Sequence, residues 1–258
     1  MTAQHATLPA PGAATEMACW PPMRTVETSD GWRAGLSGGV TRRANSAVPL
    51  RVPVDAARAV DEVEALYSAA GQRAVIRVGG TEADDAVDRE LDRRGWVTVA
   101  ETDVLARELD DDGDGDEPAG SASDIEVTWA REPDDDWLDT YLAVKSGGRH
   151  RELLRGILAS GDAWHVTARD RSTVVGVIRV ALADGWAALS CLVVAPDARR
   201  RGIGRTLTAA GLRLAREQGV TRAFLQVEQH NEAARALYDG LGFVPVDGYR
   251  YREPDPDR

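Results

Sequence analysis

Residues 198–207 read ARRRGIGRTL, with Arg199, Arg200, Arg201 and Arg205 crowded around Gly202 and Gly204. Guanidinium groups are forked donors suited to phosphate and carboxylate oxygens. Glycines let an anion approach backbone N–H groups that a Cβ would shield. The chain around the cluster is acidic, with formal net charge −11 and a pI of 4.9. A phosphate cradle, a nucleic-acid contact and a turn of solvated arginines are the three readings. Nucleic-acid affinity needs a broad basic surface or an aromatic platform, and an acidic chain with this single cluster has neither. Two phosphate motifs fail on residue identity. No lysine follows the second glycine, as the Walker loop requires, and Leu207 stands where the dinucleotide fingerprint needs its third glycine. The pattern that does match is R-x-x-G-x-G, as Arg199, Gly202 and Gly204.

The elements that must hold this loop are legible around it. Residues 163–194 read as three strands. Trp164, Val166 and Ala168 alternate; TVVGVIRVAL is rich in β-branched residues; Ala183-Asp184-Gly185 makes a turn; WAALSCLVV is nearly continuous in apolar residues, as in a buried central strand. Ala195-Pro196-Asp197 stops that strand. A helix follows with Leu207, Gly211, Leu214 and Ala215 on one face and Gly219 closing it. The loop therefore joins a strand end to a helix start, where free N–H groups and a partial positive charge favour an anion. A pyrophosphate fits this site, and so does a sharp turn with solvated arginines. Downstream, LQVEQHNEAARALYDGLGF places Asn231 as an N-cap, then Ala234, Leu237, Tyr238 and Leu241 at helical spacing, with Gly242 as the stop. Asn231 and Tyr238 are two turns apart and share a face.

The arginine–glycine loop, placed after a strand ending LVVAP, resembles the acetyl-CoA loop of the GCN5-related N-acetyltransferases (GNAT). Asn231, Ala234, Leu237, Tyr238, Gly242 and Phe243 match that family's pattern N-x-x-A-x-x-[LF]-Y-x-x-x-G-F. The resemblance implies an α/β fold with a central mixed β-sheet flanked by helices, and acetyl-CoA as co-substrate. It implies cofactor contacts from Leu192, Val193, Val194, Arg199, Arg200, Arg201, Gly202, Ile203, Gly204, Arg205, Thr206 and Asn231. Tyr238 would sit by the thioester sulfur and protonate the leaving thiolate. In the family the central strand splays from its neighbour, and its free N–H groups meet the pantetheine arm; Leu192, Val193 and Val194 occupy that place. Some members carry a glutamate as general base five residues before the asparagine. Here that position is Gln226, which cannot take a proton. Glu228 lies two residues on, on the same strand face, and is the candidate base; His230 and water are the other routes. A solvated charge is the ordinary reading of both side chains. No metal is implied.

The pattern strand, polar turn, helix, glycine, strand also runs through QRAVIRVGGTEADDAVDRELDRRGWVTVAETDVLARE. Helices close at Gly71 and Gly219, and RGW answers LGF, so two copies of one unit repeat at about 149 residues. On that period Pro53 and Asp55 fall on Gly202 and Gly204, and Leu91 falls near Tyr238. Proline removes a donor and aspartate repels phosphate. The first copy has thus lost the anion loop and the acid, and it braces the second or walls the acceptor pocket. The block DGWRAGLSGGVTRRANSAVPL resembles one in the N-terminal half of some actinobacterial tandem acetyltransferases. Its TRRANS faces the cleft between halves or forms a polar strand edge.

Residues 108–124, ELDDDGDGDEPAGSASD, hold eight acidic residues and no basic one, which reads as a linker. Asp110, Asp112, Asp114 and Gly115 start a calcium-loop pattern, but Ser121 replaces the closing glutamate and Pro118 interrupts it. The expected division is a disordered lead over 1–18, a degenerate GNAT-like domain over 19–107, a linker over 108–124 and a catalytic domain over 125–258. Cys19 and Cys191 form no metal or disulfide pattern. No apolar run approaches the roughly 18 residues of a membrane span, and the N-terminus lacks the pattern of a signal peptide. The expectation is a cytoplasmic monomer or homodimer that acetylates a primary amine of a small molecule, either an amino acid or an amine, by direct attack in a ternary complex. It has no nucleic-acid or membrane partner. The alternatives are a protein N-terminal or lysine acetyltransferase and a non-catalytic acyl-CoA sensor.

Overall fold

The computed structural model describes residues 8–109, 125–145 and 150–257. The possible calcium positions from Asp110 to Ser121 lie outside the described residues.

The lead expected to be loose over 1–18 becomes a helix at Ala13. Helix α1, Ala13–Cys19, has no side-chain cap, and Glu16 and Cys19 are each 2% exposed. Seven residues are too few for a helix to stand alone, so its order comes from tertiary contacts. Arg179 donates to the Cys19 carbonyl at 2.8 Å, and Thr15 Oγ1 donates to Asp184 Oδ2 at 2.9 Å.

The first copy continues through β1 (Arg24–Glu27), β2 (Arg33–Leu36), β3 (Ala47–Val48), α2 (Ala56–Ala69), β4 (Ile76–Val78), α3 (Glu82–Arg93) and β5 (Val97–Glu108). The second runs β6 (Ile125–Ala130), α4 (Asp135–Lys145), α5 (Arg151–Ala159), β7 (Ala163–Asp170), β8 (Thr173–Ala183), β9 (Trp186–Val194), α6 (Ile203–Glu217), β10 (Arg222–Glu228), α7 (Glu232–Asp239) and β11 (Val244–Glu253). The three strands expected over 163–194 are β7, β8 and β9. The repeated unit is visible in its helix ends. Trp96 N donates to Leu91 O at 2.9 Å after α3, and Phe243 N donates to Tyr238 O at 3.0 Å after α7. Leu91 therefore holds the place of Tyr238.

All described strands form one mixed sheet in the order β1-β2-β3-β4-β11-β5-β10-β9-β8-β7-β6. Only β3–β4 and β9–β10 pair in parallel. The two copies exchange their last strands. β5 leaves the first copy to pair with β10 along Thr102–Glu108, and β11 leaves the second to pair with β4. The antiparallel β5–β11 ladder joins them at the centre. The compositional break at 108–124 therefore does not divide the sheet. Charge marks where chain cannot be buried, whereas strand pairing is decided by which edges match.

One face of the second copy's sheet packs Val166, Ile178 and Leu225 against Leu207 and Leu214 of α6. The other packs Val177 and Val193 against Trp137, Leu138 and Leu154 of α4 and α5. A Cβ on Gly176 would lie 2.9 Å from both Leu207 Cδ1 and the Val193 carbonyl oxygen, so α6 sits as close to β8 as the backbone permits. Among the described residues no helix is long and apolar enough to cross a membrane, and Cys19 and Cys191 are free thiols.

Candidate active site

The arginine–glycine loop opens α6. Gly202 is the N-cap with φ +79°, and no side chain caps the helix. A Cβ in that left-handed conformation costs about 1–2 kcal/mol. The first intrahelical bond runs from Thr206 N to Gly202 O at 3.0 Å, which leaves the N–H groups of Ile203, Gly204 and Arg205 without helical partners. Thr206 Oγ1 also donates to Gly202 O, at 3.3 Å. Arg200 is left-handed too, at φ +64°. The four arginines do not converge. Arg201 pairs with Asp170 at 2.7 Å, Arg205 donates to Gly240 O at 3.0 Å, and Arg199 donates to Val194 O at 3.4 Å. Arg200 is exposed and has no partner among the described residues. An exposed ion pair such as Arg201–Asp170 is worth at most about 1 kcal/mol, so it yields readily to a phosphate.

The strand before the loop is bent at its middle. Cys191 has φ +58°, and the β8–β9 register slips between Val177 and Arg179. Such a bulge re-aims a strand. β9 pairs with β10 only over Trp186–Leu189 and Arg222–Leu225, and the two strands then part. Ala195 N donates to Val175 O at 2.9 Å. By the alternation of an antiparallel ladder, the Val194 and Leu192 N–H groups point the other way, into the fork. Leu192 and Val194 are half-buried on the α6 face, whereas Val193 is buried toward α4. A Cβ on Gly204 would lie 3.5 Å from Leu237 Cδ2 and 3.9 Å from both Leu192 Cδ2 and Val194 Cγ2. The loop, the forked strand and α7 therefore meet around Gly204.

Helix α7 carries the other two predicted residues. Asn231 Oδ1 accepts from Ala234 N at 3.2 Å, so its side chain is spent at least partly on capping. Tyr238 is buried, and its ring meets Phe243 edge-on at 5.8 Å. Burial, with a smaller contribution from the Cys191 thiol, pushes the phenol up to about 12. Tyr238 thus keeps its proton at neutral pH and is a donor beside the bulge of β9.

The candidate base sits differently. Glu228 is half-exposed at the outer end of β10, 3.2 Å from His230 Nε2. Gln226, deeper in the fork, donates through Nε2 to the Glu16 carboxylate. Glu16 also pairs with Arg77 at 2.9 Å, and Arg77 lies over the Tyr249 ring at 3.7 Å. Sequence reasoning missed Glu16. It stands 210 residues from Gln226, in a stretch with no local signal beyond a short apolar helix. TRRANS forms a 3-10 turn over Arg42–Ala44 facing the cleft, with Arg43 4.9 Å from the Trp20 ring.

The structure shifts the match between the copies by two residues: Asp55, expected on Gly204, is the N-cap of α2 and so stands at the place of Gly202. Asp55 caps α2, and its Oδ1 accepts from Ala57 N at 2.9 Å and Arg58 N at 3.2 Å. The protein's own carboxylate thus occupies the anion position.

Comparison with known proteins agrees with this geometry. Residues 12–252 match the family model described as probable histone acetyltransferase Rv0428c C-terminal. A Bacillus subtilis protein named uncharacterized N-acetyltransferase YobR is 26% identical over 233 residues, covering 86% of this chain and 89% of that protein. A GCN5-related N-acetyltransferase from Kribbella flavida superposes with TM-score 0.68 at 19% identity, over 96% of this chain and 97% of that one. A tandem GNAT protein from the clavulanic acid biosynthesis pathway, solved without acetyl-CoA, gives TM-score 0.68 at 17% identity over 98% and 92%. The chain is a GNAT acyltransferase with a large mixed sheet flanked by helices, and it belongs to the Rv0428c C-terminal acetyltransferase family.

Proposed function

We propose that the chain moves an acetyl group from acetyl-CoA to a primary amine of a small molecule, by direct attack while both are bound. The observation that carries this reading is the fork. The N–H groups of Leu192 and Val194 that point into the gap between β9 and β10, the uncapped start of α6 and the protonated Tyr238 gather around the parting of those strands. Pyrophosphate suits the N–H groups of Ile203, Gly204 and Arg205, with Arg200 as the unpaired cation beside them. Val194 and Leu192 N–H groups are placed to hold the pantetheine arm and to stabilise charge building on the carbonyl oxygen. The thioester supplies the acyl group. Tyr238 gives its proton to the departing sulfur. The amine enters from the opposite face, and its proton leaves through water toward Glu228.

The acceptor side supports a small substrate. Trp20, Glu16 and Arg43 from the first copy roof the fork there, so a bulky acceptor has little room to approach. The name of the matching family favours a second reading, a protein lysine as acceptor. Release of free thiol across a panel of amines, amino acids and lysine-bearing peptides separates the two. Turnover with peptides alone would overturn the small-molecule reading. No turnover with any acceptor, in the presence of acetyl-CoA binding, would favour a sensor.

A further inference from the structure

The cavity at the base of the fork has a volume of about 10 Å³ and is lined by Glu16, Trp20, Arg43, Ser190 and Gln226 among others. It holds about one water, the space of one amine nitrogen, so the rest of an acceptor lies outside it, along the half-buried Arg43. Its charges do not balance. Glu16 is neutralised by Arg77 at 2.9 Å. Arg179 is fully buried and spent on the carbonyls of Leu158, Cys19 and Ser160 at 2.7–2.8 Å. Arg43 is half-buried over Trp20 at 4.9 Å, and it makes no ion pair or hydrogen bond among the described residues. Its charge reaches the hydroxyls of Tyr249, Tyr251 and Tyr141 and the Cys191 thiol, and burial holds the proton on Tyr251, Tyr141 and Cys191. Arg179 is near enough to repel it. A guanidinium half withdrawn from water and without an anion is a ready partner for a ligand that supplies one.

The amine's place is marked as well. A carboxylate only accepts hydrogen bonds, so Gln226 must turn its Nε2 to Glu16 and keep its Oε1 for another donor. Ser190 Oγ is buried with no nitrogen or oxygen partner, and only the Cys191 thiol lies within its reach. An ammonium or amine satisfies both oxygens. One net positive charge among neutral hydroxyls suits a monoanion better than a phosphate, and acetyl-CoA comes from the α6 side of the sheet.

We propose that Arg43, contributed by the first copy, binds a carboxylate on the acceptor, and that the acceptor is an amino acid whose amine meets Gln226 and Ser190 at the fork. This inference rests on the acetyl-transfer reading and narrows its substrate class. Arg43 then acts as a specificity residue supplied by the copy that lost its own site.

The test uses the full chain, the common amino acids and their carboxamides and decarboxylated amines, with free thiol as the readout. The wild type is expected to favour acids over matched carboxamides by about tenfold or more in kcat/KM. Arg43→Gln is expected to bring that ratio near one through KM, and Arg43→Lys to restore part of it. Calorimetry with acetyl-CoA should give the same affinity in all three proteins. Equal use of acids and carboxamides by the wild type, no turnover of any acid, or an unchanged preference in Arg43→Gln would overturn the proposal. Intact acetyl-CoA binding in those cases leaves the transferase reading standing, and absent binding removes both.

Discussion

Replacing Tyr238 by phenylalanine removes one oxygen and keeps the ring that packs against Phe243 at 5.8 Å. The hydroxyl has no protein hydrogen bond among the described residues, so its loss costs folding only about 0–1 kcal/mol. Proton donation by a placed side chain accounts for about 10²–10⁴-fold in rate. The leaving group here is a thiolate, whose ordinary pKa of about 8.5 makes it able to depart with little help. The loss should therefore fall at the lower end, about 10²-fold in kcat, or about 2.7 kcal/mol of barrier. Acetyl-CoA affinity should stay within about twofold, because the loop and strand N–H groups that hold the phosphates and pantetheine are untouched. Tyr238 keeps its proton to about 12, so it adds no falling limb to the wild-type rate between pH 7 and 10. Thiol release with the best acceptor, followed from pH 6 to 10 beside calorimetry, reads each of these. An unaltered rate refutes the acid assignment, and a loss of acetyl-CoA binding refutes the placement of Tyr238 beside sulfur alone.

Gly202→Ala places a Cβ at φ +79° and should lower stability by about 1–2 kcal/mol, with acetyl-CoA affinity falling several-fold by calorimetry; an unchanged affinity would detach the loop from the cofactor. Arg179→Met leaves three buried carbonyls without their donor and should cost about 3–5 kcal/mol in urea unfolding; a loss under about 1 kcal/mol would show that α1 is held by other means. His165 is buried and lowered to about 4, mainly by burial. Its neutral form is favoured in the fold, so the stability it contributes is present above about pH 6.5 and lost as pH falls through 4, up to about 3 kcal/mol. His165→Gln should flatten the fall in urea midpoint between pH 7 and 4 relative to wild type, and parallel curves would refute the assignment.

What was legible in the sequence was local. Gly202, Asn231 and Gly242 announce helix ends because caps depend on neighbouring residues alone. Tyr238 follows from helical spacing, and the period pointed to Asp55 but set it two residues out of register with its place at the start of α2. The exchange of β5 and β11 was not legible, because both are amphipathic strands after a glycine-ended helix and either sheet edge suits either strand. The bulge at Cys191 is hidden inside WAALSCLVV, where a continuous apolar run carries no mark of a slipped register. Glu16 was invisible as a site residue for a different reason, and Arg43 was marked only as part of a TRRANS segment with two readings. Their partners lie across the molecule, and an alanine-rich lead and a polar TRRANS describe solubility better than they describe a cleft. The contacts of Arg201 with Asp170 and of Arg205 with Gly240 carry no sequence mark either, because both partners are distant in the chain.

Calorimetric titration of the full chain with acetyl-CoA tests the account most directly. One open helix start at Gly202 and one blocked by Asp55 predict a single site per chain, weakened in Gly202→Ala and unchanged when Asp55 is replaced by asparagine. No binding, or binding at two sites per chain, would contradict it.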